Sequence, residues 1–231
     1  MCLFKRRKKI NMVDIGSIHE GNLNSITDFT LLKPYATKND LDNFLNVAHT
    51  NCYYSVCVNP INVKYVRGYI DLKLKSSLKV CTVVGFPLGE HTTDVKVAEA
   101  KRAIADGADE IDMVIAISRV KNREWDYVKN DISRVVRASK GKIVKVILET
   151  AYLTRDEIIQ ATKIVMKARA DFVKTSTGFA NGGATPDIVE LLSQVTKGKI
   201  GIKAAGGIAS KFDAMNMVRM GATRIGTSRV L

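Results

Sequence analysis

With 231 residues and 46% hydrophobic content, the chain is long enough for one large domain or two small ones and carries a sizeable core. Its formal charge of +13 invites a nucleic-acid reading, but the basic residues are spread along the chain and aromatics make up only 6%, which argues against a base-stacking platform. Small phosphorylated substrates are an equally good use of that charge, so charge alone decides nothing.

The head MCLFKRRKKINM is basic and no apolar signal core follows it. Residues 1–24 therefore read as a solvated tail and lead-in, and residues 25–231 as the folded unit. No run of eighteen apolar residues exists, so no membrane span is expected. The first strand signal is TDFTLL (27–32), and TKND then opens a helix with Leu41, Phe44, Leu45 and Ala48 at helical spacing. YYSVCV (53–58) and LKVCTVVGF (78–86) are the next strands. Thr93 and Asp94 precede the helical VKVAEAKRAIADGA, with Gly107 as its stop. EIDMVI (110–115) and KIVKVIL (142–148) follow as strands. Thr154 with Glu157 makes a capping box before IIQATKIVMKA. DFVKT (171–175) is the sixth strand, and Thr185-Pro186-Asp187 starts the helix after it. KIGIKAA (199–205), a helix from Ser210 closed by Gly221, and RIGTS (224–228) complete the series.

Eight strands, spaced by roughly one helix each and without a linker, predict a single (β/α)₈ barrel. A doubly wound open sheet is the competing arrangement. It loses support because neither GxGxxG nor GxxxxGK[ST] is present. The four cysteines, Cys2, Cys52, Cys57 and Cys81, show no CxxC pair and no His-rich partner segment. That gives neither a zinc spacing nor a disulfide framework, and fits reduced thiols in a cytoplasmic protein. Cys57 and Cys81 lie in apolar strands and read as small core residues.

A barrel of this kind places its chemistry at the C-terminal strand ends. There the sequence offers Asp112 in EIDMVI, Lys174 in DFVKT and Lys203 in IGIKAA, each embedded in apolar strand. Charged residues are seldom buried unless paired or functional. Two neighbouring lysines have a specific use: a second cation and burial both disfavour the ammonium, and a neutral amine can attack a carbonyl and form a Schiff base. On this argument either lysine could be the nucleophile, with Asp112 holding the other and shuttling protons. TSTGF, AAGGIAS and IGTSR follow strands six, seven and eight. Their glycines and hydroxyls, including Gly206, Gly207, Thr227 and Ser228, suit a phosphate held by backbone N–H groups.

DFTLLKP, VCVNP, VVGFPLGEHTTDVKVAEA, GADEIDMV, KVILET, ADFVKTSTGFANGGAT, IKAAGGI and GATRIGTS together resemble the deoxyribose-phosphate aldolases, class I aldolases with a TIM-barrel fold. The resemblance runs from about Thr27 to Leu231. It implies that Lys174 forms the Schiff base, that Lys203 perturbs it and moves protons, and that Asp112 completes the relay. It also implies reversible cleavage of 2-deoxy-D-ribose 5-phosphate, in deoxyribose phosphate catabolism, without metal or organic cofactor. Asp28 and Thr30 would line the mouth at strand one. The phosphate would be held around Thr177, Gly178, Gly206, Gly207, Gly226 and Ser228. A homodimer is the assembly it suggests, with a small phosphorylated sugar as partner and neither nucleic acid nor membrane. The pattern departs at several places. Phe29 stands where the family reads histidine in DHT, and Ala209 replaces the arginine of GGIR. Arg229 follows GTS, where it can return that charge. The resemblance also expects a last helix after strand eight, which the end at Leu231 leaves short or missing.

Overall fold

The computed structural model describes residues 14–231. The basic head therefore lies outside the described residues. Eight parallel strands close into a barrel in chain order: β1 Thr27–Leu31, β2 Ser55–Val58, β3 Lys79–Val84, β4 Glu110–Val114, β5 Ile143–Ile147, β6 Phe172–Lys174, β7 Gly201–Ala205 and β8 Arg224–Thr227. Closure is made by β8 against β1, where Asp28 stands opposite Gly226. The helices are α1 Lys38–Thr50, α2 Val63–Tyr69, α3 Thr93–Ala105, α4 Ile117–Lys121, α5 Trp125–Ala138, α6 Arg155–Lys167, α7 Pro186–Thr196 and α8 Lys211–Arg219. Among the described residues no helix follows β8, and none is long and apolar enough to cross a membrane.

Local chemistry sets most helix starts. Thr37, Thr154 and Ser210 each close a capping box with the acid three residues on, and Thr185 accepts from the Ile188 N–H beside Pro186. The start of α3 differs from the expected one: Thr93 is already helical, and the residue before it, Thr92, caps without a side-chain bond.

Strand alternation sorts the side chains in an unusual way. Val56, Val80, Ile111, Val144, Val173, Ile202 and Ile225 face the helices and form the main apolar core between sheet and helix ring. Their neighbours Asp28, Glu110, Asp112, Lys145, Lys203 and Arg224 turn inward and are buried. Barrel interiors are more often filled by branched hydrocarbon. Here the hydrocarbon surrounds the sheet and ions fill much of its inside. Phe29 belongs to the outer layer, its ring stacked on Phe44 and Tyr53 with centroids 4.7 Å away in each case. The Phe-for-His departure thus places a ring in an aromatic stack, and Phe29 also lines the cavity at the strand ends.

Candidate active site

β4 carries Asp112 to the centre of the barrel, where its two carboxylate oxygens take four donors. Oδ2 accepts from Lys174 Nζ at 2.7 Å and from Lys203 Nζ at 2.8 Å. Oδ1 accepts from Lys145 Nζ at 2.8 Å and from Cys81 Sγ at 3.2 Å. Burial opposes ionisation of Asp112, but the Coulomb fields of Lys145, Lys174 and Lys203 outweigh it and hold its carboxyl well below the usual range.

The register explains the convergence. Asp112 stands opposite Lys145 across β4 and β5, Lys174 opposite Lys203 across β6 and β7, and Lys203 opposite Arg224 across β7 and β8. Beneath them lies a second tier. Asp28 accepts from Lys203, from Arg224 at 2.7 Å and from Ser55 Oγ at 2.7 Å. Glu110 is paired with Lys145 and accepts from Arg224 at 2.9 Å and Tyr54 at 3.1 Å. The Arg224 guanidinium stacks 3.8 Å over the Tyr54 ring and closes the floor.

The lysines do not share one environment. Burial alone would favour neutral Lys203, yet Asp112 and Asp28 override it and push its ammonium to higher pKa. Lys145 is raised well above its ordinary value in the same way, by Asp112, Asp28, Cys81 and Glu110 acting against burial. Lys174 has one carboxylate partner, Asp112, and it alone of the three lines the mouth cavity. Charge counting points the same way. Asp28, Glu110 and Asp112 are matched by Lys145, Lys203 and Arg224, which leaves Lys174 as the surplus cation.

That cavity, about 820 Å³ at the C-terminal strand ends, is also lined by Thr30, Thr177, Gly178, Gly206, Gly207, Gly226 and Ser228. Asp28 is not on its wall; it is fully buried in the ion cluster. The Thr227 hydroxyl donates to the Ile208 carbonyl at 2.7 Å and accepts the Arg229 N–H at 3.0 Å. It ties the last two loops together and leaves Ser228 on the wall. Two glycines are required by contact. Gly206 has φ 93°, and a Cβ there would lie 3.0 Å from Gly183 Cα. A Cβ on Gly226 would lie 2.9 Å from Lys203 Cε, inside the space of the buried lysine stem.

Several members of the site were not singled out from the sequence. Lys145 sits in KIVKVIL as an inward charge flanked by valines, the same signal that marked Asp112. Glu110 and Arg224 are further cases. Glu149 is buried and left-handed (φ 55°, ψ 65°). Its carboxylate takes the Thr177 hydroxyl and N–H, and Thr177 Oγ1 accepts from the Phe179 N–H at 3.0 Å. That chain fixes the loop directly after Lys174. Cys81 is a buried residue as expected, but its thiol belongs to the polar cluster. Among the described residues, Cys57–Cys81–Asp112 and Asp28–Cys81–Glu110 bring ligand atoms within 4.8 Å of one another. Their carboxylates are already taken by lysines and Arg224, so neither set is an open metal site.

A cationic pair on one carboxylate, one amine facing a closed-bottomed cavity, is the equipment of carbonyl chemistry through an imine. The model of the DeoC/LacD family aldolases matches residues 22–228. The chain belongs to that family. It is 51% identical over 203 residues to the deoxyribose-phosphate aldolase of Thermococcus kodakarensis, covering 87% of this chain and 90% of the relative. It is 49% identical over 209 residues to that of Mycoplasmopsis synoviae, covering 90% and 93%. Among solved structures, the tetrameric deoxyribose phosphate aldolase of Aeropyrum pernix superposes with TM-score 0.84 at 34% identity, covering 91% of this chain and 88% of that one.

Proposed function

We propose that this chain reversibly cleaves 2-deoxy-D-ribose 5-phosphate to acetaldehyde and D-glyceraldehyde 3-phosphate through a Schiff base on Lys174. The observation that carries the assignment is the inequality of the lysines: the carboxylates around Lys203 and Lys145 favour their ammonium forms, while Lys174 is the surplus cation and faces the cavity. The one cation in excess of the three carboxylates supports Lys174 as the nucleophile, a choice the chemistry of two lysines leaves open.

The neutral amine of Lys174 attacks C1 of the open-chain aldehyde. The carbinolamine takes a proton on its oxygen and loses water, with Lys203 and Asp112 as the relay. The iminium then accepts the C2–C3 bonding pair while the C3 hydroxyl gives up its proton. Glyceraldehyde 3-phosphate leaves, the enamine is protonated at C2, and water releases acetaldehyde. The phosphate is assigned to the wall formed by Gly178, Gly206, Gly207, Gly226 and Ser228, with Thr30 and Thr177 toward the sugar. Asp28 acts on the reaction through Lys203, as its lower carboxylate partner.

The catalytic unit is assigned to residues 25–231, since every group named here falls between Asp28 and Ser228. Free Cys52, Cys57 and Cys81 suit a cytoplasmic setting. A homodimer is the proposed assembly, and light scattering distinguishes it from the tetramer described for Aeropyrum pernix. The direct test is reduction with borohydride in the presence of acetaldehyde. A stable ethyl adduct is expected on Lys174; an adduct on Lys203, or on no lysine, overturns the assignment.

A further inference from the structure

β2 and β3 each turn a cysteine into the barrel, and their register sets Cys57 directly opposite Cys81. Neighbouring strands lie about 4.8 Å apart, inside the roughly 4.4–6.8 Å Cα separation a disulfide spans. The two sulfurs lie within 4.8 Å of one another and of an Asp112 carboxylate oxygen. Both residues are fully buried free thiols in a small inner cluster with Leu32 and Val83. Leu32 also lines the mouth cavity, so the pair sits one residue behind the wall that solutes reach.

The surroundings are not those of inert core cysteines. Cys81 Sγ donates to Asp112 at 3.2 Å and receives Lys145 Nζ at 3.3 Å. The neighbouring Cys81 side chain favours the Cys57 thiolate against burial, and the Lys203 and Lys174 charges add to it. Burial, together with the neighbouring Cys57 side chain and the Asp112 charge, pushes the Cys81 thiol up. One sulfur is thus the better nucleophile and the other the resolving partner.

We propose that Cys57 and Cys81 form a peroxide-oxidisable dithiol beneath the reacting lysine, and that closing it to a disulfide switches the site off. The Cys57 thiolate attacks one oxygen of hydrogen peroxide, the O–O bond breaks, and a sulfenic acid and water result once the hydroxide is protonated. Cys81 sulfur then attacks the Cys57 sulfur, the S–O bond breaks, and a second water leaves. Two thiols lose two electrons in total and peroxide gains them; both thiol protons end in water. Closure takes from Asp112 the Cys81 donor and draws that sulfur away from Lys145.

The test uses the full chain with Cys2→Ser and Cys52→Ser, treated with hydrogen peroxide. The protein is expected to lose two hydrogens in mass, to yield a peptide joining residues 57 and 81, and to fall about tenfold in deoxyribose 5-phosphate cleavage, with dithiothreitol restoring both. Adding Cys57→Ser is expected to abolish the linkage and hold the treated-to-untreated activity ratio near one. Oxygen addition without linkage, or linkage with undiminished activity, overturns the proposal. The activity arm rests on the aldolase reading; the mass arm does not, so untreated protein without activity would count against that reading and leave the linkage to be judged by mass.

Discussion

Lys174→Met is expected to lower cleavage of deoxyribose 5-phosphate by on the order of 10⁴-fold or more, because the covalent step has no substitute nucleophile. Lys203 and Lys145 are close enough to tempt one into expecting rescue, but both are held as ammonium ions by two or more carboxylates. The variant is expected to fold as well as the parent. Lys174 is the surplus cation, and its removal leaves Asp112 with Lys145, Lys203 and Cys81 still donating. Lys203→Met is expected to behave differently, since both Asp28 and Asp112 lose a donor in a buried setting, a change costing about 3–5 kcal/mol. Thermal unfolding and steady-state kinetics on the two variants check the contrast. If Lys174→Met keeps measurable turnover and Lys203→Met does not, the two roles must be exchanged.

Asp112→Asn is the second large expected effect. The amide cannot accept from four donors, and it leaves three lysines around a neutral group. A stability loss of about 3–5 kcal/mol is expected, or roughly a 10 °C fall in melting temperature for a chain of this size. Cleavage should fall by about 10²–10⁴-fold as the relay is lost. The pH dependence gives an independent check. The Asp112 carboxyl is held low by Lys145, Lys174 and Lys203 against the cost of burial. Stability from such a depressed group is present in full above its unfolded value of about 3.9 and is lost as pH falls through the folded value. Acid titration of stability should therefore be shallower in Asp112→Asn than in the parent. Equal acid slopes would remove Asp112 from the linkage.

The eight strands were legible because each is a short apolar run bounded by turn residues, and the barrel followed from their spacing. Helices α1, α6, α7 and α8 were legible because each begins with a hydroxyl residue whose side chain caps it. No such signal announces α2, α4 and α5: the capping residues Asn62, Ala116 and Glu124 make no side-chain cap bond. These helices are held by what they pack against, through residues such as Val66, Val120, Val128 and Ile132.

The site was legible where a charge interrupts an apolar strand and the family motif names it, as at Lys174, Lys203 and Asp112. Lys145, Glu110 and Arg224 show the same interruption, but a strand pattern does not say which face meets the axis until closure fixes the register. Asp28 shows the limit from the other side. Its motif places it at the strand-one mouth, and only the three-dimensional neighbours reveal that it serves Lys203 from below. Glu149 could not be read at all, since its left-handed backbone and its bond to Thr177 are properties of the folded loop.

The separation of ions inside the barrel from cations at its rim makes ionic strength a selective tool. Mobile salt reaches exposed charges and screens them over about 10 Å at 0.1 M, but enters a sealed interior far less. Lys33 and Arg229 are exposed around the mouth cavity, whereas Lys145, Lys203, Asp28 and Asp112 are fully buried. Raising salt should therefore weaken capture of the phosphorylated sugar and leave the chemical step alone. KM should climb with added salt while kcat stays level, and a parallel fall in kcat would mean that water and ions reach the lysine pair.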